Sequence, residues 1–405
     1  MWLPLEERQR LDSVKGVLIL LVVLGHSLLA GPLIPGLREA VYSFHVQCFL
    51  LLPFLFPAPA LTRRNTGNLL VRYLVPYAGA ILLFSMLHAV WRGAGLGTWI
   101  VDVGRAVVTG NTNDLKRATG FYLLWFLPAL SVTVLLWMVY FRLGRWFRWV
   151  LVVLALAAHL FLPGLPWPYR RDWPAFGTHI ALFIFPLGLW VHYGARPLLT
   201  RLSGKGRLLL LSSLIGSLWL LLARGLQVNL AHLGYSSGRH VSALAHQDLV
   251  AVLALLSLLA FSGELARIPY LAQIGNKSLP IYLLHQPFVA GVVHGLGGQA
   301  APASAPIHVW LVAGFSVLCG VVGPLLMAKL IYSRARLRSL LFPRSARDLL
   351  YGFGVVTQPG TSGILRAGGL RAPRLAGGRR APCPDLQAMR TQAVPGERDS
   401  LRDGG

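Results

Sequence analysis

Leu11-Asp12-Ser13-Val14-Lys15-Gly16-Val17-Leu18-Ile19-Leu20-Leu21-Val22-Val23-Leu24-Gly25-His26-Ser27 is the stretch that decides the fold. From Gly16 to Leu37 the chain carries no Asp, Glu, Lys or Arg. About 20 apolar residues are enough to cross the hydrocarbon core of a bilayer, so the segment reads as a membrane helix. Asp12 or Ser13 is placed to cap its start by accepting from orphan backbone donors. Lys15 and His26 are eleven positions apart. Eleven residues make about three helical turns, which puts both side chains on one face about 16 Å apart. That separation is roughly half a membrane. Gly25 leaves room beside His26 for another backbone or a ligand. Ionisable groups inside a bilayer are costly and mark sites or pathways.

The same pattern recurs outward from this helix. Runs free of the four charged residue types cover 40–62, 73–91, 118–141, 149–169, 173–195, 208–223 and 278–328. Hydrophobic residues make up 55% of the 405 and charged residues 13%, against about a quarter charged in soluble domains. The predicted fold is an all-α polytopic integral membrane protein with about ten transmembrane helices. The expected spans are 14–31, 40–58, 72–92, 121–141, 147–163, 176–194, 207–223, 244–262, 278–294 and 307–329. The semi-polar stretch 225–243 is expected to be an outer loop. The first apolar run ends in Ser27-Leu28-Leu29-Ala30, and Leu28 is too large for a signal-peptidase site, so the helix is expected to be retained.

The formal net charge is +24, from 38 Lys and Arg against 14 Asp and Glu. The cations sit at helix ends and in the C-terminal region. With both termini cytoplasmic, the inner segments hold more than twice as many Lys and Arg as the outer ones, as topology control requires. The charge therefore reads as topology control and not as a nucleic-acid signal. Residues 1–340 read as the membrane domain. Residues 341–405 are rich in Arg, Gly and Pro, lack a long apolar run and read as a disordered cytoplasmic tail. Cys48, Cys319 and Cys383 show no metal or disulfide spacing. No metal motif, paired-carboxylate arrangement or glycine-rich phosphate loop is present.

A second histidine strengthens the reading of the first. Phe44-His45-Val46-Gln47-Cys48-Phe49 belongs to the next span, which a short loop makes antiparallel to the first. His26 and His45 then lie at similar depth. Two histidines on adjacent spans suggest a membrane-embedded acid/base site.

The order of motifs resembles the acyltransferase 3 family of membrane acyltransferases. Asp12-x-x-Lys15-Gly16 followed by Val22-Val23-Leu24-Gly25-His26-Ser27 is similar to its first-helix signature. Phe44-His45 with Phe49 looks like its second-helix motif, although Gln47 and Pro53-Phe54 replace the usual proline and Ser-Gly. Arg72-Tyr73-Leu74-Val75-Pro76-Tyr77 resembles the entry to the third helix. Leu124-Trp125-Phe126-Leu127-Pro128-Ala129-Leu130 resembles a Trp-Phe-Leu-Pro motif. Ile274-Gly275-Asn276-Lys277-Ser278-Leu279-Pro280-Ile281-Tyr282-Leu283-Leu284-His285 resembles the late Gly-x-x-Ser-x-x-x-Tyr-x-x-His segment. The Lys-Gly form is similar to the fucose 4-O-acetylase-like branch; many relatives carry arginine where this chain has Lys15.

The resemblance implies an O-acyltransferase of the bacterial inner membrane. Its donor would be cytoplasmic acyl-CoA, most simply acetyl-CoA, used as a co-substrate with no permanently bound cofactor. Its acceptor would be a hydroxyl of an extracytoplasmic or lipid-linked saccharide. In that scheme His26 is the base or a transient acyl carrier, His45 supports it, and Lys15, Arg63, Arg64 and Arg72 hold the donor phosphates. Trp125, Tyr282 and His285 are further candidates; Tyr282 and His285 share a helical face. His246 and Asp248 are expected at a solvated loop end, and Arg170, Arg171 and Asp172 in an outer loop near the saccharide. No role is expected for His88, His159, His179 or His192. The alternative reading is a proton-coupled secondary transporter or flippase, but the inverted repeats common in transporters are not visible.

Overall fold

The computed structural model describes residues 4–27, 33–164, 176–224, 228–229, 234–235, 240–296 and 307–356. It is an all-α polytopic membrane protein. Among the described residues, six helices are long and apolar enough to cross a membrane: Arg63–Arg92, Leu123–Arg142, Thr178–Leu199, Gly204–Arg224, Ser242–Ala260 and Ile307–Ser333. Large side chains face outward from them, among them Leu82, Leu83, Met86 and Leu87, then Leu208, Ile215 and Trp219, and then Leu311, Phe315, Leu326 and Leu330. An apolar exterior of this kind suits lipid and not water.

Helix α1 runs Leu5–Gly25. It starts well before the expected 14, so Asp12 and Ser13 lie inside it and do not cap it. Its N-cap is Pro4, and Ser13 Oγ donates to Gln9 O at 2.9 Å. The expected second span is not one helix. It is α2 (Leu37–Tyr42), α3 (His45–Leu51) and a 3-10 turn Leu52–Leu55. The break is at Phe44, whose ψ of −29° at φ −142° lies off the helical path. Pro53 then tightens the end.

Helix α4 (Arg63–Arg92) begins at Thr62, whose side chain accepts from the Asn65 amide. Two shorter helices follow, α5 (Leu96–Thr109) and α6 (Thr112–Thr119), where only a loop is expected from the sequence. A 3-10 turn Leu123–Trp125 leads into α7 (Phe126–Arg142). Then come α8 (Arg145–Phe161), α9 (Thr178–Trp190), α10 (Arg196–Arg201), α11 (Gly204–Arg224) and α12 (His240–Ala260). Between α11 and α12, Val228–Asn229 and Gly234–Tyr235 form a minimal antiparallel pair. The short α13 (Ser262–Leu265) and α14 (Leu271–Asn276) precede α15 (Ser278–Gly295) and α16 (Ile307–Ser333).

Two close approaches set the core around the site. On α14, a Cβ at Gly275 would fall 1.7 Å from the Asp12 carbonyl oxygen of α1, and one at Gly16 would fall 2.3 Å from the Leu271 oxygen. Only glycine permits that crossing. It fixes the end of α1 that carries Lys15 against the junction leading to α15. Farther along, a Cβ at Gly188 of α9 would fall 2.5 Å from the ring of Phe54. Phe54 in turn lies 4.8 Å from the Trp137 ring of α7, and both are almost fully buried.

The chain does not turn irregular at 341. Helices α17 (Ala335–Leu341) and α18 (Ala346–Gly352) fold back on each other. The expected tail from Gln358 onward lies outside the described residues.

Candidate active site

A cavity of about 1400 Å³ runs beside α1, and its walls include Lys15, Ile19, Val22 and His26. These four residues repeat at helical spacing and so form one stripe on α1. The shared face read from the sequence is therefore the face that lines the cavity. From α4 come Asn65, Asn68, Leu69, Arg72 and Tyr73, again one helical face. Phe49, Trp125, Phe126 and Trp137 add apolar, aromatic wall. Arg38, Glu39, Tyr42, Thr112, Asn113, Lys116 and Tyr122 add polar groups.

At one end of the stripe, Lys15 Nζ contacts Asp12 Oδ1 at 2.6 Å, and Arg8 reaches the same carboxylate at 3.8 Å. Lys15 is thus held by its own helix, three residues from its partner. Arg344 also lines the cavity, although it lies beyond the expected domain boundary at 340. Arg63 and Arg64 are exposed in the first turn of α4 and do not line it.

At the other end, α1 stops at Gly25 and His26 is its C-cap. Val22 O accepts from the His26 backbone N–H at 3.1 Å and lies 2.7 Å from Nδ1. A carbonyl only accepts, so Nδ1 carries the ring proton and Nε2 presents a lone pair. That lone pair faces the Tyr42 hydroxyl at 2.8 Å, and the hydroxyl donates to it. Tyr42 is held from above by the Arg38 guanidinium, 5.4 Å from its ring centroid. Tyr122 is another aromatic neighbour, 6.4 Å from the imidazole.

His45 and His285 repeat this arrangement. His45 Nδ1 donates to Val41 O at 2.6 Å. His285 Nδ1 is shared between Tyr282 O at 2.9 Å and Ile281 O at 3.1 Å. Both rings are fully buried, and neither Nε2 has a hydrogen-bond partner among the described residues. His285 meets His26 edge-on at 5.3 Å, and His45 meets Tyr42 edge-on at 5.1 Å. Three imidazoles and one phenol therefore converge from α1, α2, α3 and α15. His45 lines the cavity, whereas His285 sits behind His26. A neutral imidazole with its lone pair toward a cavity can take a proton from a bound hydroxyl.

Trp125 is buried in the cavity wall at the turn before α7. The Tyr282 hydroxyl donates to the Leu123 carbonyl of that turn, and its ring packs on Phe126 at 5.2 Å. Tyr282 thus fastens α15 to the aromatic wall. Lys277 is the N-cap of α15 and makes no side-chain cap.

His159, for which the sequence suggests no role, joins two other helices. His159 of α8 pairs with Asp248 of α12, Nε2 to Oδ2 at 2.8 Å, and its Nδ1 donates to Phe183 O at 2.7 Å. Asp248 is therefore a partner of a membrane-buried histidine and not a solvated loop end. His246 bonds Ser217 O at 2.8 Å. Arg170, Arg171 and Asp172 lie outside the described residues. Among the described residues, no group of three or more His, Cys, Asp or Glu is placed to hold a metal ion.

Tyr42, Arg38 and Arg344 were missed from the sequence. Tyr42 had no local signal, because the break at Phe44 puts it and His45 on different helices.

Residues 8–328 match the acyltransferase 3 family model, described as an acyltransferase domain. No curated protein and no solved structure matches the chain.

Proposed function

This chain belongs to the acyltransferase 3 family, and we propose that it moves an acetyl group from cytoplasmic acetyl-CoA to a hydroxyl of an extracytoplasmic or lipid-linked saccharide. The observation that carries the proposal is the cavity that joins Lys15 to His26 along one face of α1. Eleven residues of helix give about 16 Å between the two positions, a length suited to an extended pantetheine arm. The Lys15 end, with Arg72, takes the phosphates of the coenzyme. The aromatic wall takes the arm, and the thioester lies by His26.

The chemistry follows from the ring's tautomer. The acceptor hydroxyl displaces the Tyr42 hydroxyl from His26 Nε2 and gives its proton to that nitrogen. Its oxygen attacks the thioester carbonyl, and the tetrahedral intermediate collapses by breaking the C–S bond. The coenzyme thiolate then leaves and takes the proton from the imidazolium. A general base at this step contributes about 10²–10⁴ in rate. Glu39, Thr112, Asn113 and Lys116 supply the polar wall that a saccharide needs. The Asn113 Nδ2 group has no hydrogen-bond partner among the described residues. The Lys15-Gly16 pair favours the fucose 4-O-acetylase-like branch, and the family resemblance points to a bacterial inner membrane as the setting.

Reconstitution with labelled acetyl-CoA and candidate glycans tests the reading, with O-acetyl groups followed by proton NMR. Wild type should transfer label and His26→Ala should not, while Lys15→Ala should raise the donor concentration needed. Equal transfer by His26→Ala would overturn the mechanism.

A further inference from the structure

The described residues beyond the family match form a strap that brings Arg344 to the wall of the cavity. The match stops at 328. Helices α17 and α18 then make a hairpin in which a Cβ on Gly352 would fall 2.9 Å from Leu340. Asp348 ties the hairpin together. Its Oδ1 accepts from Ser339 Oγ at 2.7 Å and lies 3.5 Å from Arg338 Nη2, and its Oδ2 accepts from the Arg344 amide at 3.0 Å. The hairpin is pinned to α4, where Asn68 Oδ1 accepts from the Ala346 amide at 3.2 Å. Asn68 is itself a cavity residue.

This fastening places Arg344 in the cavity wall, near Lys277 and Arg338. Asp348 engages the Arg344 backbone and not its guanidinium, which makes no ion pair among the described residues. Arg338 keeps a buried Nε without a hydrogen-bond partner among the described residues. Lys277 has its ammonium 3.9 Å from the centre of the Tyr332 ring. Burial pushes the Lys277 pKa down, and repulsion from Arg344 and Arg338 adds to the effect. Like charges drawn together this way cost energy unless an anion joins them. Phosphate oxygens are strong acceptors for the planar, forked donors of arginine.

We infer that the strap is part of the donor site: Arg344, with Arg338 and Lys277 beside it, binds the phosphates of the acyl-CoA donor and closes the cavity behind them. The inference rests on the proposed reaction and adds a second arm to it, from a segment outside the family domain. The shared chemistry is a phosphate ester, which a lipid headgroup also offers.

The test uses the full chain in phosphatidylcholine nanodiscs and measures binding of labelled acetyl-CoA and, separately, of inorganic pyrophosphate. Arg344→Ala should weaken both by about tenfold, the usual scale for losing one charged hydrogen-bonding partner. Arg344→Lys should recover part of the loss, and Arg336→Ala, on an exposed position of the same hairpin, should match wild type. Wild-type binding of acetyl-CoA that Arg344→Ala leaves intact overturns the strap's role but not the proposed reaction. Pyrophosphate binding without acetyl-CoA binding overturns the reaction and leaves a phosphate site; loss of both in wild type removes both ideas. If Arg344→Ala instead weakens association with phosphatidylglycerol nanodiscs and leaves acetyl-CoA binding unchanged, the phosphate belongs to lipid and the inference is overturned.

Discussion

His285 stands edge-on behind His26, with their ring centroids 5.3 Å apart and each Nδ1 fastened to a carbonyl of the preceding helical turn. The two rings are not equivalent. His26 faces the cavity, and His285 faces His26. Replacing His26 with alanine should reduce acetyl transfer by about 10²–10⁴ while acetyl-CoA binding persists. Replacing His285 with asparagine should cost less, about tenfold in kcat with donor KM unchanged, because it only positions the neighbouring ring. Steady-state assays with varied donor separate these outcomes; equal losses would place both rings on the reacting atoms.

Tyr42→Phe removes the hydroxyl that occupies His26 Nε2 at 2.8 Å. The imidazole keeps its Nδ1 bond to Val22 O and so its orientation, while the acceptor no longer has a hydroxyl to displace. The expected result is a fall in acceptor KM of about tenfold, the scale of one hydrogen bond, with the fold and donor affinity retained. A fall in kcat instead would mean that the hydroxyl acts in the reaction and is not displaced.

Gly275→Ala should be among the most damaging single methyl additions in the chain. The new Cβ would land 1.7 Å from the Asp12 carbonyl oxygen, so α1 and α14 must move apart. Overpacking of this kind costs about 1–3 kcal/mol or more. Thermal unfolding in detergent should show a lower midpoint, and acetyl-CoA binding should weaken as Lys15 shifts. Gly291→Ala, where a Cβ meets nothing within 4 Å, is the control.

The His159–Asp248 pair is structural in this scheme, since neither residue lines the cavity. Removing one member should destabilise more than removing both. Asp248→Ala leaves His159 buried against Phe183 with Nε2 unsatisfied, at a cost of about 3–5 kcal/mol. His159→Phe combined with Asp248→Leu should regain much of that stability. Thermal midpoints of the three variants decide the matter. If the double variant keeps the fold but loses acyl transfer, the pair has a chemical role.

The legible parts of this protein were those written in one helix at a time. Lys15 and His26 could be placed on a common face because eleven residues of helix fix their phase. Trp125 and Tyr282 stood in runs whose motifs were themselves short and contiguous. What stayed hidden depends on several segments at once. The second span looked continuous by hydropathy, yet Phe44 breaks it, because hydropathy does not sense backbone torsion. His159 and Asp248 are 89 positions apart, and no local pattern links them. Arg344 sat in a stretch whose composition suggested disorder. It is ordered because Asp348 gathers Ser339, Arg338 and the Arg344 amide into one knot.

Helix α1 has one more consequence. Both ends of the proposed donor would be read by the same unbroken helix, so the gauge for its length is a count of residues. One residue inserted between Val17 and Leu24 would advance His26 by about 1.5 Å but rotate it by about 100° off the stripe that faces the cavity. Substitutions in this segment exchange one apolar side chain for another, and lengthening it puts the base and the cation out of phase. The segment should therefore accept changes of letter far more readily than changes of number.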